Sequence, residues 1–287
     1  MKSNLAIGTC KIGGTFAESC ANIKASGFDT VMLHEKDGDF TTNIKTARKY
    51  GLRVFCVHLE FKKMNDLWET GPANKALIKK ITDNIKVCGK HEVDVVVMHP
   101  TYRAERNEIT VAGPNNVGLD SMHEILKTAE KCGVRVALEN TAQIQNHLYY
   151  LLDNIDSPYL GFCYDCGHHN LYTPKVDYAS VYGDRFFCVH IHDNYIDWKR
   201  RGDSSVDLHL LPGDGKIDFE KVINDISRTA YDGPVLLEVH RKESTSYATQ
   251  TKHIYQRLYG NMTNAEYLAE AHKRGEELIK LLNKSRK

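Results

Sequence analysis

Val134-Arg135-Val136-Ala137-Leu138-Glu139-Asn140 is a short apolar run that follows Gly133 and ends in a carboxylate and an amide. The same layout recurs along the chain. Runs rich in β-branched residues read Leu5 to Gly8, Thr30 to His34, Val54 to His58, Val93 to His99, Val134 to Asn140, Leu160 to Asp165, Phe187 to Asp193 and Val235 to His240. Each has the length and composition of a buried strand. The stretches between them carry helix signals. Thr15-Phe-Ala-Glu18 and Thr263-Asn-Ala-Glu266 have the capping-box spacing, and Gly51, Gly133 and Gly233 stand where a helix gives way to the next strand.

Near-continuous apolar strands separated by helices imply a parallel sheet covered on both faces. Eight such units are the number that closes into a (β/α)8 TIM barrel, an α/β fold that fills roughly 250 residues as one unit. A doubly wound open sheet is the alternative. The chain has 287 residues, 41% of them hydrophobic and 26% charged, which excludes disordered, collagen-like and coiled-coil classes. No Pro/Gly/Ser-rich linker or low-complexity tract interrupts it, so one domain over residues 1–287 is expected. Two longer connections, Asn194 to Lys216 and Arg241 to Met262, belong on the face of a barrel that carries function.

Lys and Arg total 38 against 37 Asp and Glu, giving a net charge of +1 that advertises neither nucleic acid nor an anionic membrane as partner. Val95-Val96-Val97-Met98 falls far short of the ~20 apolar residues of a membrane helix, and Met1-Lys2-Ser3-Asn4 does not open a secretion signal. A cytoplasmic location is expected. Of the eight cysteines, Cys56, Cys163 and Cys188 lie in apolar runs where reduced thiols pack as small hydrophobes. Cys163-x-x-Cys166 has no second pair to complete a zinc site and reads as coincidence.

The polar residues fall at strand ends: His34, His58, His99, Glu139, Asp165, His190 with His192, and Glu238 with His240. One histidine in such a place often only caps or hydrogen bonds. Seven consecutive strands ending this way would converge carboxylates and imidazoles at one mouth, which is unfavourable unless a cation or mutual pairing offsets it. The mixed oxygen and nitrogen ligands suit a divalent manganese, zinc, cobalt or iron ion better than calcium. No G-x-G-x-x-G or G-x-x-x-x-G-K-[ST] follows a strand, and no G-x-S-x-G is present. Gly213-Asp214-Gly215 reads as a turn entering a helix near Asp218.

Leu138-Glu139-Asn140, Tyr164-Asp165-Cys166-Gly167-His168, His190-Ile191-His192-Asp193-Asn194, Asp207-Leu208-His209, Pro212-Gly-Asp-Gly-Lys-Ile-Asp218 and Leu237-Glu238, in that order, resemble the xylose isomerase-like TIM barrels. That superfamily spans sugar and sugar-phosphate isomerases and epimerases and the endonuclease IV type of abasic-site nuclease. The resemblance implies a metal site of Glu139, Asp165, His190 and Glu238, with His192 as the competitor of His190. It gives catalytic roles to Glu139, Glu238 and His168, and places His58, His99, His192 and His209 around the substrate. His58, His99, His168, Asp207 and His209 complete the nine ligands of the nuclease's three-zinc cluster, so they stand as additional ligands under that alternative.

The leading expectation is a metal-dependent isomerase or epimerase of a small keto-sugar, sugar phosphate or polyol-derived ketone. A dehydration beginning with the same proton abstraction is a close variant, and a barrel that only binds a sugar or metal is the third reading. Against a nucleic-acid partner, His34-Glu35-Lys36-Asp37-Gly38-Asp39 puts three acids and one lysine on the loop after the second strand. Trp198-Lys199-Arg200-Arg201 is the best basic patch and equally suits one sugar phosphate. Phe61, Tyr102, Tyr164, Tyr195 and Trp198 are the aromatic candidates for a sugar-binding face. In the final segment, Asn264 to Lys284, Leu268, Ala271, Leu278 and Leu282 form a helical stripe suited to covering the barrel or a second subunit in a homo-oligomer.

Overall fold

The computed structural model describes residues 5–9, 14–102, 112–141, 145–195, 207–241 and 248–287. Strands β1 (Leu5–Gly8), β2 (Thr30–His34), β3 (Arg53–His58), β4 (Val95–Met98), β5 (Arg135–Glu139), β6 (Leu160–Asp165), β7 (Phe186–His190) and β8 (Val235–Leu237) form one sheet in which chain neighbours are spatial neighbours and β8 lies beside β1. All pairings are parallel. The remaining seam, between β7 and β8, is joined by a parallel bridge of Ile191 with Leu237. Ile191 N–H donates to Leu236 O at 2.8 Å and Glu238 N–H to Ile191 O at 3.1 Å. The result is a nearly closed (β/α)8 TIM barrel.

Between the strands run α1 (Phe16–Ala25), α2 (Phe40–Lys49), α3 (Pro72–Lys90), α4 (Asn116–Cys132), α5 (Gln145–Asn154), α6 (Cys166–Tyr172), α7 (Tyr178–Tyr182) and α8 (Phe219–Ser227), and α9 (Ala248–Tyr259) and α10 (Asn264–Ser285) follow β8. Both sequence-level capping boxes form, Thr15 with Glu18 and Thr263 with Glu266. Gly133 ends α4 at φ 66°, a left-handed conformation open to glycine without a Cβ clash. Asp218 caps α8 where a helix start was expected.

Two buried layers follow from the alternation of side chains along each strand. One set packs outward against the helices. The other, which includes Ala6, Met32, Cys56, Val95, Val97, Ala137, Cys163, Cys188 and Leu236, fills the inside of the barrel. Leu268, Ala271, Leu278 and Leu282 of α10 are all buried, and the helix packs on β1, β8, α1 and α8, so the stripe covers this barrel itself. Gly275 makes that close approach feasible: a Cβ there would lie 2.4 Å from Leu5 Cδ1.

The structure corrects some boundaries. The regular strands end at Met98, His190 and Leu237, so His99, His192, Glu238 and His240 lie just beyond them rather than within them. The Arg241 to Met262 connection is not an irregular loop, because α9 occupies much of it. Met1 to Asn4 and Trp198 to Arg201 lie outside the described residues. Among the described residues no helix is long and apolar enough to cross a membrane.

Candidate metal centre at the mouth of the barrel

Period-two alternation explains why the polar residues converge. Cys56, Ala137, Cys163, Cys188 and Leu236 point into the barrel, and two positions later on the same side stand His58, Glu139, Asp165, His190 and Glu238. One ligand atom each from Glu139, Asp165, His190 and Glu238 lies within 4.8 Å of the others, and all four residues are buried.

Glu139 is the hub. Its Oε2 is 3.0 Å from His58 Nε2 and 3.2 Å from His99 Nε2, while Oε1 is 3.1 Å from His168 Nδ1 and 3.5 Å from His190 Nδ1. His190 Nδ1 also faces Glu238 Oε2 at 3.1 Å and Asp165 Oδ2 at 3.7 Å. Two further groups flank the centre, His58 with His99 and Glu139, and His168 with Asp207 and His209. All nine residues singled out from the sequence thus gather at the mouth.

His192 takes a different place from His190. Its Nε2 is 3.0 Å from Asp165 Oδ1, and its ring stacks on His209 with centroids 3.8 Å apart. His209 stacks in turn on His240 at 4.3 Å, and its Nδ1 lies 2.8 Å from Glu238 O. His209 holds φ at 48°, an uncommon backbone state for a residue with a Cβ, at a residue of the site.

The buried carboxylates and imidazoles hold one another in their charged forms. Burial alone would push the Glu139 carboxyl up, but His190 and His99 hold it well below the ordinary carboxylate range. Burial opposes ionisation of Asp207 and Glu238 as well, and His168 and His190 respectively reverse it. Conversely burial disfavours a charged His190, yet Glu238 and Glu139 raise it well above its usual value, and Asp165 and Asp207 do so for His168. His190 Nδ1 and Nε2, His168 Nδ1 and Asp207 Oδ1 are buried without a hydrogen-bond partner. Their neighbours are near but not aligned to share a proton. Each orphaned polar atom costs about 1–3 kcal/mol, and a divalent cation among the N and O donors of Glu139, Asp165, His190 and Glu238 removes that cost at His190 Nδ1, so the residues present fit such an ion.

Residues without a sequence-level role hold this arrangement. Asn140 Oδ1 accepts from Asp165 N–H at 2.7 Å and its Nδ2 donates to Asp165 O at 2.8 Å. Asp165 Oδ1 also caps α6 by accepting from His168 N–H at 2.7 Å. At Gly167 a Cβ would sit 1.9 Å from His192 Cε1, so only a bare Cα fits under that ring. Asp193 accepts from the amides of Gly213, Gly215, Lys216 and Ile217 at 2.8–3.1 Å, anchoring the end of the long connection after β7. An acid followed some twenty residues later by a glycine-rich turn is the only trace of that anchor in the sequence.

The aromatic candidates divide. Phe61 stacks on His99 at 4.5 Å and on Tyr102 at 5.8 Å, making one wall of the mouth. Tyr164 is buried away from it, with its hydroxyl 2.8 Å from His169 Nδ1. Tyr195 is tied to Arg257 at 3.0 Å. Cys163 and Cys166 part company: Cys166 Sγ donates to His192 O at 3.3 Å, whereas Cys163 belongs to the barrel interior. The acids after β2 have internal partners. Glu35 binds Lys80 Nζ at 2.8 Å and Glu60 N–H at 2.8 Å, Asp37 takes the Thr9 hydroxyl at 3.0 Å, and Asp39 caps α2.

Residues 20–260 match the family model described as xylose isomerase-like TIM barrel. The chain is 28% identical over 194 residues to an uncharacterised protein of Methanocaldococcus jannaschii, covering 63% of this chain and 63% of that one. It is 26% identical over 142 residues to the fructoselysine 3-epimerase of Escherichia coli O157:H7, covering 46% of this chain and 49% of the relative. Both matches thus span less than two thirds of the relative's length. Among solved structures, D-psicose 3-epimerase with D-tagatose from Clostridium cellulolyticum H10 superposes with a TM-score of 0.72 at 16% identity, covering 99% of each chain.

Proposed function

Because the chain belongs to the xylose isomerase-like TIM barrel family, we propose that it isomerises or epimerises a small polyhydroxylated carbonyl compound, with a divalent cation held by Glu139, Asp165, His190 and Glu238. The observation that carries this reading is the pair of carboxylates, Glu139 and Glu238, flanking the single nitrogen His190 Nδ1 at 3.5 and 3.1 Å. The sugar 3-epimerases and dehydratases among the relatives support the same chemical class. When bound, the cation supplies Lewis acidity toward a carbonyl and its neighbouring hydroxyl.

The protein's own groups do the rest. Glu139 and Glu238 flank the carbon next to the carbonyl: the one present as carboxylate takes its proton, and the other, carrying a proton gained from solvent or from the previous turnover, returns one from the opposite side. Both acting on one carbon gives epimerisation, and one base moving a proton between adjacent carbons gives isomerisation. His168, anchored to Asp207 at 3.1 Å, directs its other nitrogen toward Glu139 and orients a substrate oxygen there. His58, His99, His192 and His209 line the substrate space, and Phe61 gives a flat face for the sugar ring.

A second reading, a nuclease acting on abasic sites with three cations, is favoured by one observation: the nine residues fall into three groups, two of them sharing Glu139. Two assays on one preparation separate the readings. Incubation of metal-loaded enzyme in heavy water with keto-sugars and their phosphates is expected to label one at the carbon beside its carbonyl, while an abasic-site duplex stays intact. Nicked duplex with no labelled sugar overturns the proposal.

A further inference from the structure

The inner layer of the barrel holds three thiols directly below the ligand layer. Cys56 precedes His58 by two residues on β3, Cys163 precedes Asp165 on β6, and Cys188 precedes His190 on β7; all three cysteines are free and fully buried. The expectation that they are small core hydrophobes accounts for their burial but not for their convergence from three strands. Cys56 Sγ lies 4.0 Å from Cys188 Sγ. Ligand atoms of Cys163, Cys188 and His190 lie within 4.8 Å of one another. A tetrahedral ion with metal–sulfur bonds of about 2.3 Å separates its sulfurs by roughly 3.8 Å, close to the Cys56–Cys188 distance.

The imidazole of His190 connects the two levels. Nδ1 is the nitrogen nearest to the carboxylates of Glu139, Asp165 and Glu238. Nε2 is also buried and has no hydrogen-bond partner. A fully buried nitrogen with no partner, on a residue grouped with two thiols, is an observation independent of the thiols themselves. The neighbours of this layer include the small side chains Ala6 and Ala137, where barrel interiors are usually filled by bulky branched residues.

We propose that Cys163 and Cys188, with the second nitrogen of His190, form a site for a thiophilic d10 cation, of the class of Zn2+, Cu+ or Cd2+, one layer beneath the oxygen-rich centre, with Cys56 beside Cys188 as the thiol placed to complete it. Soft thiolates select such ions while carboxylates select harder ones, so the two levels sort cations by chemistry rather than by size. Each thiol that binds releases its proton to solvent, a metal–sulfur bond replacing the S–H bond, and His190 binds through Nε2 while Nδ1 keeps its proton, giving that proton to solvent as well when the upper cation takes Nδ1. The site stands whichever reaction the upper centre performs.

Cadmium is the probe. Titration of reduced, full-length protein with Cd2+ is expected to develop the ultraviolet charge-transfer absorption of cadmium thiolate. That band should persist in Glu139→Gln/Glu238→Gln, which cripples the upper centre, and disappear in Cys163→Ala/Cys188→Ala. A band that survives the double cysteine substitution, or no band in the wild-type chain, overturns the proposal. Should the cysteine variant not fold, X-ray absorption on the cadmium-loaded wild-type protein decides: two or three sulfur neighbours with an imidazole nitrogen support the site, and one or no sulfur rejects it.

Discussion

The Asn140 side chain grips the backbone of Asp165 at both ends, accepting from its N–H at 2.7 Å and donating to its carbonyl at 2.8 Å. This fixes the orientation of the carboxamide and the strand position from which the Asp165 carboxylate projects. Asn140→Ala leaves two buried backbone groups without partners, each costing about 1–3 kcal/mol. Denaturant unfolding should show a loss in that range, and cation affinity should fall roughly 10- to 100-fold as for other supports of metal ligands. Wild-type affinity in the variant would show that the clamp does not position the ligand.

Glu139→Gln and Glu238→Gln should each lower kcat by about 10²- to 10⁴-fold, the usual cost of a lost general base, with weaker cation binding in addition. His58→Ala removes a partner of Glu139 without removing a ligand of the four-residue centre, so its effect should be milder. Elemental analysis should accompany the kinetics and return one tightly held ion in the upper centre of wild-type protein as isolated. Three zinc ions at the mouth, with equal collapse of all three variants, would point to the nuclease reading.

With the cation stripped, the site should impose a characteristic pH dependence. Glu139 and Glu238 are held below their ordinary value of 4.5, so their stabilisation is present above that value and is lost as pH falls through the folded ones. His168 and His190 are raised above 6.5, so theirs is complete below 6.5 and drains away as pH rises through the folded values. Metal-free protein should therefore melt at lower temperature at about pH 8 than at about pH 6. A cation replaces those protons, so the loaded protein should gain affinity and stability over the same rise. An unchanged melting temperature for the stripped protein across this range would contradict the assignment.

Gly167→Ala tests the approach of His192. The added methyl would lie 1.9 Å from His192 Cε1, so the ring or α6 must move. Overpacking of this kind costs about 1–3 kcal/mol. Because His192 Nε2 contacts Asp165, the variant should also lose cation affinity, read by competitive titration against a chelating dye. A stability loss with intact affinity would confine Gly167 to packing.

The residues proposed as ligands were legible in the sequence because each ends an apolar run, and a two-residue period brings equivalent ends to one side of a parallel sheet. That same period left His190 and His192 equivalent, since both point inward, and only their separate partners in space tell them apart. Asn140 and Gly167 stood in the quoted motifs without a role, because a clamp and a clearance exist only between segments remote in the chain. Helix α9 escaped notice for a local reason. Its first six residues, Ala248-Thr-Gln-Thr-Lys-His253, show no apolar stripe, and Ile254, Tyr255, Leu258 and Tyr259 supply one only in its second half. Once folded, Tyr259 receives Leu211 N–H at 2.9 Å and gives its hydroxyl proton to Asp214 at 2.8 Å, tying the helix to the connection after β7.

The join between β7 and β8 is the thinnest in the cylinder, a single bridge of Ile191 with Leu237. His190 stands on one lip of that join and Glu238 on the other. Anything that grips both residues together also laces the wall shut, so occupancy of the mouth and closure of the barrel become one event. Amide hydrogen exchange at Ile191 and Glu238 would then act as a gauge of what the mouth contains, slowing when it is filled and quickening when it is emptied.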